Sequence, residues 1–222
     1  MILDDENKLV QEIQNNAFEM MCCEKLGQIY MTKHGDLGYV WDIKPDGTPK
    51  IIMRTSSEYI KLSSLYEIEK SIKNFEKKHG WYIPTEKQFL ESISWRNESK
   101  YNISVISENM LNRAKTQCNS ISREYNKKFQ PHPLVGIDGA FWLKSDENTY
   151  NLNTYINIAS WIPEVELQHA QDDYYAKEFP MPENVLRKIL FLRNLGENEI
   201  QSYEESENMI QETIHNLPLG RF

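Results

Sequence analysis

Only three cysteines, Cys22, Cys23 and Cys118, occur in 222 residues, and two of them are adjacent. Adjacent cysteines do not readily bridge to each other, so no disulfide framework holds this chain together and a reducing origin fits. No C-x-x-C pair or Cys/His ligand spacing is present. The thiols are therefore expected to be small buried hydrophobes on helices. Long apolar runs are missing too, and no window is long and apolar enough to span a bilayer. Basic charge is short: 25 Lys and Arg stand against 33 Asp and Glu, for a net charge of -8. With no Lys/Arg-rich run as a local exception, such a surface repels phosphate backbones, which argues against a nucleic-acid partner. The first residues, "MILDDENKLVQEIQNN", carry acids and amides where a secretory signal needs a basic and then an apolar region. Synthesis in the cytoplasm without a signal peptide is expected.

Catalytic signatures are also absent. There is no P-loop, dinucleotide fingerprint or G-x-S-x-G elbow. The five histidines, His34, His79, His132, His169 and His215, lie in loops or at helix ends without an i, i+4 pair, so neither zinc chemistry nor any other metal or cofactor is expected. Asp172 and Asp173, beside Tyr174 and Tyr175, could form a metal-seeking acid pair, but a solvated loop is the more ordinary reading.

What the chain does have is enough apolar content, 40% with 11% aromatic, for one full core carrying appendages. Between Asn7 and Leu26 the apolar set Leu9, Ile13, Ala17, Met20 and Met21 recurs at helical spacing, with Gly27 as C-cap. The period then changes. Tyr39, Val40, Trp41 and Ile43, followed by Ile51, Ile52 and Met53, are β-type runs around the turn "KPDGTP", giving a hairpin preceded by a third strand at Ile29 to Met31.

Helical spacing returns from Tyr59 to Lys78 through Leu65, Ile68, Ile72 and Phe75. In "GWYIPTEKQFLESI", Thr85 and Gln88 have the spacing of a capping box, so a second helix starts there, with Phe89 on its apolar face. Trp81, Tyr82 and Ile83 form an extended apolar link that must be largely buried. A helical insert is expected at about 104–128, with Ile106, Met110, Ala114, Cys118, Ile121 and Tyr125 on one face. Phe141, Trp142 and Leu143 read as a strand, and Leu152 to Ile158 alternates as a strand does. The Pro-punctuated segment Gln168 to Asn184 reads as a loop. "VLRKILFLRNL", at 185–195, is a dense apolar run that periodicity alone leaves open between strand and helix. Beyond Gly196 an acidic tail carries the helical stripe Ile200, Tyr203, Met209, Ile210 and Ile214.

This order of elements, with "GWYIPTEKQF" set beside a "G-W-R-L-P-T-x-x-E-L" helix start, resembles a bacterial C-type-lectin-like domain family. That family is related to the formylglycine-generating sulfatase modifiers and to the C-terminal domain of collagen-like adhesins. Gly80, Trp81, Ile83, Pro84 and Thr85 match its hallmark, with Tyr82 in place of Arg and Phe89 near the Leu position. Phe141, Trp142, Ser145 and Glu147 match its "Y-W-S-S-(T/S)-E" strand loosely, and Leu192-Arg193 its late "V-R" strand. The resemblance implies an α+β fold: a C-type-lectin-like core of two helices on a small irregular antiparallel sheet, spanning 27–195, with helical extensions at 1–26 and 196–222. It makes "VLRKILFLRNL" a strand and casts Trp81, Pro84, Thr85, Gln88 and Trp142 as structural anchors. Sulfatase-modifier chemistry would need a reactive cysteine pair late in the fold, and none follows Cys118. Calcium-dependent sugar binding would need E-P-N or Q-P-D with W-N-D, and neither is present.

The expectation is a non-enzymatic structural or interaction protein without cofactors. Its partners would be other protein subunits, reached through the N-terminal helix and the C-terminal tail. The assembly expected is a bacteriophage virion, with the chain in its tail, neck or head decoration. The alternative is a soluble carbohydrate- or peptide-binding protein. Tyr150, Tyr155, Trp161, Tyr174 and Tyr175 are the aromatics that would line a ligand or partner surface.

Overall fold

The computed structural model describes residues 2–56, 60–61, 80–92, 106, 109–110, 112–113, 116–117, 140–144, 154–157 and 186–216. The helix expected at Tyr59 to Lys78 and the loop at Gln168 to Asn184 lie outside them, apart from Ile60 and Lys61, which are a strand paired to 186–187 and not the start of a helix. Helix α1 (Ile2–Lys25) leads into a three-stranded antiparallel run, β1 (Ile29–Met31), β2 (Leu37–Ile43) and β3 (Pro49–Thr55). A two-residue strand β4 (Ile60–Lys61) follows. After it come helix α2 (Glu86–Glu91), β5 (Ala140–Leu143), β6 (Thr154–Asn157), β7 (Leu186–Asn194) and helix α3 (Tyr203–Asn216). The seven strands form one sheet in the order β1-β2-β3-β7-β5-β6, with β4 also on β7. The fold is α+β.

The hairpin follows its turn chemistry. Asp46 accepts from the backbone N–H and the hydroxyl of Thr48 at 2.9 and 2.7 Å, while Gly47 takes a left-handed φ of 83°. These hydrogen bonds hold the Asp46 carboxyl below the usual range. On β2 the register slips around Asp42, a bulge that turns its carboxylate fully into the protein. Lys50 donates to it at 2.8 Å and the Ile43 amide at 3.0 Å, so the buried charge is both paired and hydrogen-bonded.

Strand β7 lies at the centre. It runs antiparallel to β3, Ile51↔Asn194 through Thr55↔Leu190, and antiparallel to β4. It runs parallel to β5 through Lys188 and Ile189. The sheet is therefore mixed, which corrects the antiparallel expectation: the chain returns to β7 in the direction of β5, so that pair cannot be antiparallel. Its run Ile189, Leu190, Phe191 and Leu192 is buried throughout, as a strand covered on both faces requires, and the run is a strand for that reason.

Helix α1 carries two apolar faces. Of the apolar set read from its period, Ile13, Ala17 and Met20 are exposed, and it is Phe18, Met21, Cys22 and Leu26 that face the core. The helix is held through its last turns, where Gly27 (φ 75°) caps it and its amide donates to Val40. A Cβ at Gly27 would lie 2.3 Å from the Met110 carbonyl, so the helical insert, represented by the buried Ile106 and Met110, closes on this corner.

The tail after Gly196 is part of the sheet's edge. The Ser206 hydroxyl accepts from the Met31 amide at 2.8 Å, and the Gln201 side chain donates to the Met31 carbonyl at 2.7 Å. The Lys33 amide donates to Glu199 and the Ile29 amide to the Gln117 side chain, at 3.0 and 2.7 Å. Strand β1 thus has its outer backbone groups covered by side chains rather than left as a template for another strand. The stripe Ile200, Tyr203, Met209, Ile210 and Ile214 packs on the core of the same chain. What the tail leaves for a partner is its acidic outer face.

Replacing Ser206 by Ala leaves the buried Met31 amide without its acceptor. A loss of about 1–3 kcal/mol is expected in urea unfolding. Faster hydrogen exchange at Met31 should accompany it, and unchanged exchange there would refute the edge-capping role.

Candidate functional site

The segment 80–92 is built as a joint. Tyr82 exchanges two backbone hydrogen bonds with Leu192 of β7, both 2.9 Å, and the Lys144 amide beyond β5 donates to the Pro84 carbonyl at 3.0 Å. This seam ties the helix start to two strands that arrive from far along the chain. The capping box closes: the Gln88 amide donates to the Thr85 hydroxyl at 3.2 Å, and the Thr85 amide to the Gln88 side chain at 3.0 Å. Helix α2 is then fixed on β2 by Trp41, whose indole N–H donates to Ser92 at 2.7 Å and whose ring tilts against Phe89 at 5.4 Å. Nothing in the spacing of the sequence singled out Trp41 or Ser92.

Trp81 is 1% exposed and Trp142 fully buried, and Pro84 and Thr85 are buried beside them. The Trp81 ring touches the position of Gly38, where a Cβ would stand 3.1 Å from its Cη2 and 2.9 Å from the Met53 carbonyl. The Arg54 guanidinium lies 5.4 Å from the ring centre on the same side chain. The indole nitrogen of Trp81 is buried without a hydrogen-bond partner. A ring so enclosed has no face for a ligand, so Trp81 acts through packing.

Two open surfaces are notable among the described residues. One is a groove of about 400 Å³ lined by Ile51, Tyr82, Gln88, Glu91, Ser92 and Asn194. Its phenol, amides and carboxylate could meet a ligand rich in hydroxyl or amide groups. The Tyr82 hydroxyl donates to Asn194 at a long 3.4 Å, and burial holds that phenol above its usual pKa. The second is the outer face of α1, with an adjoining notch of about 590 Å³ lined by Asn16, Glu19, Met20, Cys23, Glu24, Asn109 and Arg113. One guanidinium nitrogen of Arg113 in this notch is buried with no acceptor.

The remaining candidate residues separate. Tyr155 lies on β6 opposite Trp142 in register. Tyr150, Trp161, Tyr174 and Tyr175 lie outside the described residues, as do Asp172, Asp173 and Cys118. Among the described residues no group of three or more His, Cys, Asp or Glu side chains could hold a metal, and no helix is long and apolar enough to cross a membrane. Cys22 is fully buried, and burial, reinforced by neighbouring negative charge, pushes its thiol up to about 12. Cys23 is also raised, chiefly by burial. Neither is a ready thiolate at neutral pH. No family model, curated protein or solved structure matches the chain.

Trp81→Ala should cost about 3–5 kcal/mol, the range for emptying a buried aromatic site, read as a fall in the unfolding midpoint. A loss below about 1 kcal/mol would contradict the packing role. A second outcome concerns pH. Cys22 keeps its proton in the folded chain after the unfolded chain has lost it. Its contribution to stability is therefore complete below the ordinary thiol value of 9.0 and declines as pH rises from there towards about 12. Cys22→Ala should flatten that part of the stability–pH curve, and an unchanged slope would count against it.

Proposed function

We propose that this chain is a non-enzymatic structural subunit, built on a lectin-like scaffold, that works by docking into a larger assembly, and that this assembly is a bacteriophage virion in which it serves in the tail, neck or head decoration. The observation that carries the docking reading is on α1. Val10, Ile13 and Met20 are 54%, 60% and 73% exposed, and they are the exposed large hydrophobic residues among those described. Scattered singly they would need no explanation, but they share one stripe of one helix with Ala17. The virion assignment rests on the likeness to a display scaffold. The tail's apolar stripe is engaged by its own sheet, so the N-terminal helix is the element offered to a neighbouring subunit.

A second reading, a carbohydrate- or peptide-binding protein, is favoured by the groove beside Tyr82. An aromatic ring flanked by two amides and a carboxylate suits hydroxyl-rich or amide-bearing ligands.

The two readings separate in one comparison. Quantitative mass spectrometry of particles purified from lysed source cells should find the chain at fixed stoichiometry, with incorporation lost in Ile13→Glu and kept in Tyr82→Ala. Recovery of the chain only outside particles would sink the assembly reading. Glycan- or peptide-array binding abolished by Tyr82→Ala but unaffected by Ile13→Glu would establish the second.

A further inference from the structure

We infer that the notch between the last turns of α1 and the helical insert binds a small apolar zwitterion, a free amino acid or a dipeptide, through its ammonium and carboxylate ends. This site stands apart from the docking reading and from the groove at Tyr82. Its walls are two helix faces. Asn16, Glu19, Met20, Cys23 and Glu24 recur along α1 at the spacing that keeps side chains on one face, and Asn109 and Arg113 lie four residues apart on the insert. The space of about 590 Å³ between them is in the range of small-molecule sites.

Charge within the notch selects the ligand. Arg113 is half-buried, and one of its guanidinium nitrogens is enclosed without an acceptor, so this cation has lost water on that side without gaining a partner. A guanidinium in that state favours an arriving carboxylate. Two carboxylates of the chain line the same notch, yet neither pairs with Arg113. Glu24 is taken by Lys25, which donates to it at 3.0 Å. Among the described residues no cation forms an ion pair with Glu19. The notch therefore holds one unpaired charge of each sign.

Both charges act on the half-buried Cys23 thiol. Burial raises its pKa most and the Asn109 side chain bonded to it lowers it, after which Glu19 raises it and Arg113 lowers it. A plain anion in this space meets Glu19 at close range, and a plain cation meets Arg113, so each is opposed by a like charge. A ligand carrying both signs satisfies the two together. Met20, 73% exposed, offers the rest of such a ligand an apolar contact, and the Asn16 and Asn109 amides offer hydrogen bonds.

The test titrates the whole chain with L-leucine and with leucyl-leucine by isothermal calorimetry, while iodoacetamide labelling of Cys23 is followed by peptide mass spectrometry. Ligands of this size in an open notch are expected to dissociate at about 1 mM, so the titration runs to about 20 mM. At least one probe should saturate and slow the labelling of Cys23, and whichever does so tells the free amino acid from the peptide. N-acetyl-leucine, which lacks the ammonium, and leucine methyl ester, which lacks the carboxylate, should each bind about tenfold or more weakly. Glu19→Gln and Arg113→Gln should weaken the unmodified probe to a similar extent, with circular dichroism and unfolding midpoint preserved because both side chains are partly exposed. The modified probes examine the same contacts on the unaltered chain, so the result does not hang on a variant's folding. Absence of saturation by both probes overturns the inference. N-acetyl-leucine binding as tightly as leucine also overturns it, since that marks a simple anion site, and so does undiminished binding in Arg113→Gln.

Discussion

The backbone of β7 is hydrogen-bonded along both edges, and the sheet has no continuity without it. On one edge it meets β3 and β4, on the other β5 and the Tyr82 bridge. Its partners lie more than a hundred residues back in the case of β3, so the central pairing closes a long loop before any gain from burial is realised. Non-local pairing of this kind is intrinsically slow to form. The same strand also carries charge into the interior. Arg193, nearly buried, forms ion pairs with Asp36 in the β1–β2 connection and with Glu199 in the short 3₁₀ turn after β7. One guanidinium thereby ties the beginning of the sheet, its centre and the entry to the tail, and removing it would leave two carboxylates facing each other without a counter-charge.

From that centre the sheet must end somewhere, and the end at β1 is managed by side chains. Ser206, Gln201 and Gln117 take up the outward amides and carbonyl of a three-residue strand. Tyr203 adds a joint: its hydroxyl donates to the Gly47 carbonyl at 3.1 Å, its ring meets Tyr30 edge-on at 5.7 Å, and Lys25 sits 4.6 Å above it. The tail therefore cannot be regarded as an appendage hung on a finished core. It contacts the hairpin turn, the edge strand and the end of α1 together. The residues that a periodicity reading offers as a partner-binding stripe are those the fold itself requires.

Where neighbours in sequence decide the structure, the sequence was readable. The turn Lys44 to Thr48 and the Thr85–Gln88 box depend on local chemistry, whereas the run of β7 was legible as buried and stayed open between strand and helix. Direction and pairing between distant segments leave no such trace. Nothing around Phe141 says that β5 will lie parallel to β7, and Asp36, Arg193 and Glu199 have no spacing that announces an ion cluster. Helix α1 shows a subtler failure. A 3.6-residue period reveals that apolar stripes exist, but this helix carries two, and only the packing of Cys22 and Leu26 determines which one turns inward. The candidate site was legible as a joint and not as a surface: Trp81 and Thr85 could be named in advance, while the groove at Tyr82 and Asn194 exists only because a bridge to Leu192 brings residues 82 and 194 together.

The joint and the surfaces also differ in how tightly they are held. Around Trp81 a single added methyl at Gly38 has no room, so that region tolerates little movement and little sequence change. Along α1, residues 10–14, 16 and 17 are exposed, and the contacts that hold the helix are gathered at its last turns. Isolated helices shorter than about 12–15 residues are marginal in water, and the exposed stretch of this one also carries the poor helix formers Asn15, half-buried, and Asn16, exposed. The outer turns of α1 therefore draw most of their helical stability from whatever covers Val10, Ile13 and Met20. In the proposed docking, ordering the arm and docking it become one event. Part of the binding free energy is then spent on helix formation, which weakens the contact while making it sensitive to single apolar substitutions on the stripe. The scaffold is tightly packed around Trp81, and its conditional element is the one proposed to meet a partner.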